Sequence, residues 1–246
     1  MNSAIQPPLR VAPSGRSVSP RRTELPNAPQ RTMLLGCGIA ASMLYVAMDI
    51  VGTLGYSGYS YADHTFSELL AVGSPVRPLM ILLSSIPYAL LMAAFAAGVW
   101  KSAGARRAAR ITALLLLGYT VVGLITGLAF PMNTRQALAA GEGGLRNAMH
   151  PAGTAVMSLL LLAAMGFGAT LAGRRFRYYT CATIIGLLLF GILTSLQAGR
   201  MTANLPTPWM GIEERVNIYA TMLWMAMLAV GLRRHAGGGT GGEISS

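Results

Sequence analysis

The sequence predicts an all-α integral membrane bundle of six transmembrane helices, with both termini cytoplasmic. Three observations predict it. Hydrophobic residues make up 53% of the 246-residue chain and charged residues only 11%, against about 25% charged in an ordinary soluble domain. The apolar residues fall in six blocks of about 20 residues, the length that crosses a hydrocarbon layer of about 30 Å. The basic residues lie between those blocks and alternate in density from one connection to the next.

The elements follow in chain order. Residues 1–32 carry six prolines and no apolar periodicity, so a disordered basic cytoplasmic tail is expected there. The blocks are 33–55, 79–100, 108–130, 149–172, 179–199 and 212–232. Within lipid the backbone must satisfy its own hydrogen bonds, which makes each block a helix. Residues 33–232 thus form the transmembrane domain, and 233–246 a Gly-rich cytoplasmic tail. Of the 19 Lys and Arg residues, fourteen fall on one side and five (Arg77, Arg135, Arg146, Arg200, Arg215) on the other. The basic-rich side is cytoplasmic by the positive-inside rule. Tyr56, Tyr59, Tyr61 and Trp209 mark the outer boundary, and Trp100, Tyr178 and Tyr179 the inner one. The net charge of +11 is therefore a topology signal. Nucleic acid is excluded, because the basic residues form no groove and no aromatics interleave them. Cys37 and Cys181 are read as reduced packing residues, and the Arg- and Ala-rich composition points to a bacterial inner membrane.

The remaining polar residues gather on the outer side. Asp49 is the seventeenth residue of the first block, about 9 Å inside its outer end at 1.5 Å per residue. A carboxylate at that depth must face the bundle and find a partner. In the first outer loop, Thr65 and Glu68 have capping-box spacing. A short helix is expected from Thr65 to near Gly73, with Phe66, Leu69 and Leu70 lying on or dipping into the membrane boundary. Capping accounts for Glu68. Asp63, an alternative cap, and His64 are left without such a duty. Asn147 is read as the N-cap of the fourth helix. That would place His150 at the positive end of the helix dipole, which favours neutral imidazole able to take a proton or a metal. Glu213 and Glu214 suit the first turn of the sixth helix. Arg200 could pair with either of them or with Asp49. Three helix N-termini point outward beside five arginines, an arrangement that suits an anion such as a lipid phosphate.

The stretch from Asp63 through Thr65, Glu68 and Gly73 to Pro75 resembles a segment of a bacterial membrane family, domain-of-unknown-function family nine-nine-eight. Ala129-Phe130-Pro131 is similar to that family's Phe-Pro segment, and Asn147 to His150 to the His-bearing start of its fourth helix. Leu70 stands where the family often has Gly, and Met132 where it often has Cys. The resemblance covers residues 33–232 and implies a six-helix bundle without an agreed reaction. Ceramidase-like membrane hydrolases hold zinc with three His. This chain offers only His64 and His150 outside, with His235 on the cytoplasmic side, so no metal and no cofactor is assigned.

Three functional readings follow. The first is an outward-facing polar pocket lined by Asp49, Asp63, His64, His150 and Arg200, which binds a membrane lipid headgroup or a small polar ligand. The second is a membrane-embedded lipid hydrolase or transferase, with His150 as base or metal ligand and Asp49 orienting it. The third is a transporter. It is disfavoured because the inner halves of the blocks have no acidic residue and no basic one beyond Arg110 at the edge of the third, and Pro87 is the only proline in a block interior.

Overall fold

The structure is a computed structural model that describes residues 28–237. Six helices in it are long and apolar enough to cross a membrane, and no strand occurs among the described residues. They are α1 (Ala28–Gly55), α2 (Arg77–Lys101), α3 (Arg107–Ala129), α4 (Gly144–Gly168), α5 (Arg174–Leu196) and α6 (Met210–Gly237). The segments expected to be tails lie outside the described residues from 1 to 27 and from 238 onward.

Three helix starts lie five residues before those of the sequence reading; one is α5, which begins at Arg174 rather than Tyr179. Helix α1 begins at Ala28 rather than Met33, because Pro29 is tolerated in a first turn, where its missing N–H would have no helical partner. Helix α4 begins at Gly144 rather than after Asn147. The Asn147 side chain does not cap a helix; its Oδ1 accepts the Asn133 N–H at 3.4 Å. His150 therefore sits past the first turn, away from the helix end that was to hold it neutral. Within α2 the turn Ile81–Ser85 is widened to a π-helix directly before Pro87. Proline cannot donate to the carbonyl four residues back and its ring crowds that carbonyl, which a wider turn relieves.

Going round the bundle, the packing order is α5, α6, α1, α2, α3, α4. Helices α4 and α5 are consecutive in the chain yet scarcely touch. One end of the bundle carries tight arginine-rich turns before α3 and α5. There Trp224 of α6, fully buried, packs with Phe176 of α5 and donates its indole N–H to Thr180 Oγ1 at 3.0 Å. Gly168 of α4 lets the Trp224 ring approach, since a Cβ there would come within 2.9 Å of it. Helix α6 is also tied to α1 by the Ser42 hydroxyl, which donates to the Met222 carbonyl at 2.9 Å. Asn217 bridges α6 to α5: its amide donates to the Leu187 carbonyl at 3.1 Å and accepts the Gly191 N–H at 3.0 Å. Such polar contacts between helices matter in lipid, where apolar side chains gain little by leaving their surroundings.

The other end carries the long connections, residues 56–76, 130–143 and 197–209, and is called the loop end below. The expected short helix has Thr65 at its N-cap but is a single turn, Phe66–Leu69, that stops short of Gly73. Its apolar face does not rest on the membrane boundary. Phe66 and Leu69 are 4% and 0% exposed and pack on Met48, Val76 and Met80. The first connection thus folds inward and lids the bundle. A single backbone bridge, from the Val72 N–H to the Met132 carbonyl at 2.8 Å, joins it to the connection after α3.

Candidate functional site

Asp49 and Arg215 meet across α1 and α6 at 0% and 2% exposure. Arg215 Nε and Nη2 donate to the two carboxylate oxygens of Asp49 at 2.9 and 2.8 Å. Burying two charges is costly unless all their hydrogen-bonding capacity is used, and here it is. Nη2 also donates to the Tyr59 hydroxyl at 2.8 Å, and Nη1 donates to the carbonyls of Tyr61, His64 and Gly211 at 2.9, 2.9 and 3.2 Å. A guanidinium has five N–H donors, and every one has an acceptor. Tyr219, one turn further along α6, donates to Asp49 Oδ2 at 2.6 Å. Gly211 permits this closure: a Cβ there would stand 2.6 Å from the Tyr61 carbonyl and 2.9 Å from that of Ala62. The pair pins the first connection to both helices and leaves Arg215 no donor for a ligand.

A second buried pair lies beside it. Arg135 Nε and Nη2 reach Glu68 Oε1 and Oε2 at 2.6 and 2.9 Å. Nη1 donates to Thr207 Oγ1 at 2.8 Å, and Nη2 also donates to the Asp63 carbonyl at 3.0 Å. Glu68 does cap the short helix, accepting the Thr65 N–H at 2.7 Å. The same carboxylate also joins all three connections through Arg135.

The residues singled out in the sequence are placed as follows. Asp63 accepts the Ser60 hydroxyl at 2.9 Å and the Trp209 N–H at 3.1 Å. The second bond holds Trp209 at a φ of 66°, a left-handed conformation rare for a bulky residue. His64 Nδ1 accepts the Ser60 N–H at 3.0 Å, which requires that nitrogen to be unprotonated. Burial lowers the imidazole below its ordinary pKa of 6.5, nearby Arg135 and Arg215 add to this, and Glu68 and Asp63 oppose it. Burial likewise raises the Tyr59 hydroxyl above its usual range, against the pull of Arg215. His150 Nδ1 lies 2.9 Å from the Phe130 carbonyl, so it ties α4 to the end of α3. Arg200 is exposed in the short helix Ala198–Thr202 and donates to the Pro206 carbonyl at 2.8 Å. It pairs with none of Asp49, Glu213 or Glu214; Gln197 takes Glu213 at 2.9 Å. Among the described residues no hydrogen bond joins Asp49 to His150 or His64 to His150. Nor do three His, Cys, Asp or Glu side chains come together there in a group able to hold a metal ion.

Sequence reasoning treated Arg215 and Arg135 as topology markers and so missed both carboxylates' partners. For Arg215 the clue was present: it is the one basic residue inside an apolar block near the outer boundary, and such a residue needs a carboxylate as much as Asp49 needs a cation. For Arg135 no periodic signal existed, since its position depends on how the loops cross.

A groove of about 420 Å³ runs along the outer surface of α6 beside the Asp49–Arg215 pair. Ile212, Val216, Ala220 and Leu223 line it, together with Tyr61, Arg215 and Tyr219. The spacing of three to four residues gives α6 one continuous apolar stripe there. The only hydroxyls in its wall are those of Tyr61 and Tyr219, 2.8 Å apart. Glu214, next along α6, faces the first connection instead and accepts the Phe66 N–H and, at 3.2 Å, the Ser67 hydroxyl.

Among known proteins, a family model described as protein of unknown function (DUF998) matches residues 39–231, from the first helix to the last. No curated protein and no solved structure matches the chain.

Proposed function

The chain belongs to the DUF998 family of proteins of unknown function, and on that premise we propose that it is a bacterial inner-membrane protein that binds a lipid headgroup or small polar ligand at its loop end. The basic-residue bias supports placing the arginine-rich turns and both termini in the cytoplasm, with the loop end outward. The observation that carries the reading is the groove on α6. It has largely apolar walls, lies on a helix long and apolar enough to span a membrane, and carries in its wall a pair of hydroxyls, one of them bonded to the buried charge pair. Few precisely placed polar groups in an apolar hollow is the general form of a small-molecule site. Asp49 takes part from behind, through Tyr219; Asp63 and His64 shape the connection that brings Tyr61 to the groove.

Native mass spectrometry of the purified full-length protein tests this. Wild type retains one or more phospholipids as the detergent is stripped, and Val216→Trp, which fills the groove, loses them. Equal retention by the two proteins overturns the reading. Reporter fusions at residues 101–106 and 137–141 test the orientation, with the first expected cytoplasmic and the second periplasmic.

A further inference from the structure

Resting on the groove reading above, we propose that the groove selects ligands whose head group carries a hydrogen-bond donor, a hydroxyl or an ammonium, over ligands that offer only acceptors.

Asp49 is ionised, because it lies in a bidentate pair with a guanidinium that is never neutral. An ionised carboxylate only accepts. Tyr219 therefore spends its single hydroxyl proton on Asp49 Oδ2, at 2.6 Å. The contact between the Tyr219 and Tyr61 oxygens at 2.8 Å still needs a proton, and only Tyr61 has one left to give. The chain thus runs in one direction, from Tyr61 to Tyr219 to Asp49. Both hydroxyl protons are committed inward, and what remains at the oxygens is lone pairs. Arg215, the other polar side chain in the wall, has all five N–H groups engaged. The polar wall of the groove consequently accepts and does not donate. A phosphate oxygen finds no partner there, whereas a hydroxyl or ammonium does. This reverses the preference for an anion that the outward helix N-termini suggest in the sequence.

The test offers the full-length protein equimolar lipid pairs with identical dioleoyl chains and reads retention by native mass spectrometry. One pair is phosphatidylethanolamine with phosphatidylcholine; the other is phosphatidylglycerol with phosphatidylmethanol. The donor-bearing member of at least one pair is expected to be retained about fivefold more, the effect of one hydrogen bond of ordinary strength. A preference in the first pair identifies an ammonium, and in the second a hydroxyl. Tyr219→Phe removes one acceptor from the wall and frees the Tyr61 proton to donate, so the preference in that pair should shrink, the Tyr61 oxygen still accepting. Equal retention in both pairs by the wild type overturns the proposal without requiring any variant, as does a preference that Tyr219→Phe leaves undiminished. If instead Val216→Trp leaves retention of all four lipids unchanged, it is the groove reading that fails and not the donor rule.

Discussion

The two ends of the bundle are held together by different physics. At the end with the arginine-rich turns, the core is largely apolar and centres on Trp224, buried threonines are its polar members, and the arginines of the turns stay at the surface. At the loop end, two guanidiniums are buried with two carboxylates, and their remaining donors tie down loop carbonyls and hydroxyls. The turns at the first end are too short to need such ties. The loop end has three long connections that expose backbone polar groups close to the membrane, where each unsatisfied group is costly. Arginine suits the task because one rigid side chain satisfies several acceptors at once. The lesson is that a buried ion pair at a membrane boundary can serve to order loops, with any ligand site built on its outer edge.

Arg215→Met strands the Asp49 carboxylate and should cost about 3–5 kcal/mol, read as loss of stability in detergent. The double variant Asp49→Leu with Arg215→Met should recover part of that loss, since both charges are gone. A loss under about 1 kcal/mol for the single variant would remove the distinction between the ends. Glu68→Gln keeps the shape and one acceptor but not the charge facing Arg135. About 1.5–3 kcal/mol is expected, with faster proteolysis within residues 56–76 as the local readout. Trp224→Phe at the opposite end loses the bond to Thr180 and part of the ring contacts, for about 1–2 kcal/mol and with no change in loop proteolysis. A change in loop cleavage would show that the ends are coupled.

The smallest effect concerns pH and the loop end alone. His64 has a lowered pKa in the folded protein, so its protonation favours the unfolded chain. Its contribution to stability is present above the ordinary pKa of 6.5 and is lost as the pH falls below that value. Melting temperature should therefore decline from pH 7 to pH 5 more steeply in wild type than in His64→Gln. Parallel slopes would mean that the Ser60–His64 bond does not sense the proton.

The six spans were legible because composition and block length in lipid admit almost no other backbone. The capping box at Thr65 was legible because its spacing is local. The start of α4 was misjudged because Asn147 looks like a cap in the sequence, while its side chain is taken by Asn133 from another segment. The membrane-facing reading of Phe66 and Leu69 failed for a similar reason. Their spacing describes an apolar face but not what it packs on, and the connection folds inward over Met48 and Met80.

By itself, the sequence determined the number of spanning helices, the charge bias between their ends, and that a carboxylate at position 49 must be partnered. These depend on the transfer of single residues into lipid, which each residue carries with it. Tertiary structure alone decided that the partner is Arg215 rather than Arg200, that Glu68 meets Arg135, and that His64 and His150 serve different segments. It also decided the direction of the proton chain from Tyr61 to Asp49. Those depend on residues as much as 170 positions apart being brought within hydrogen-bonding distance, and no local pattern in the chain encodes such a meeting.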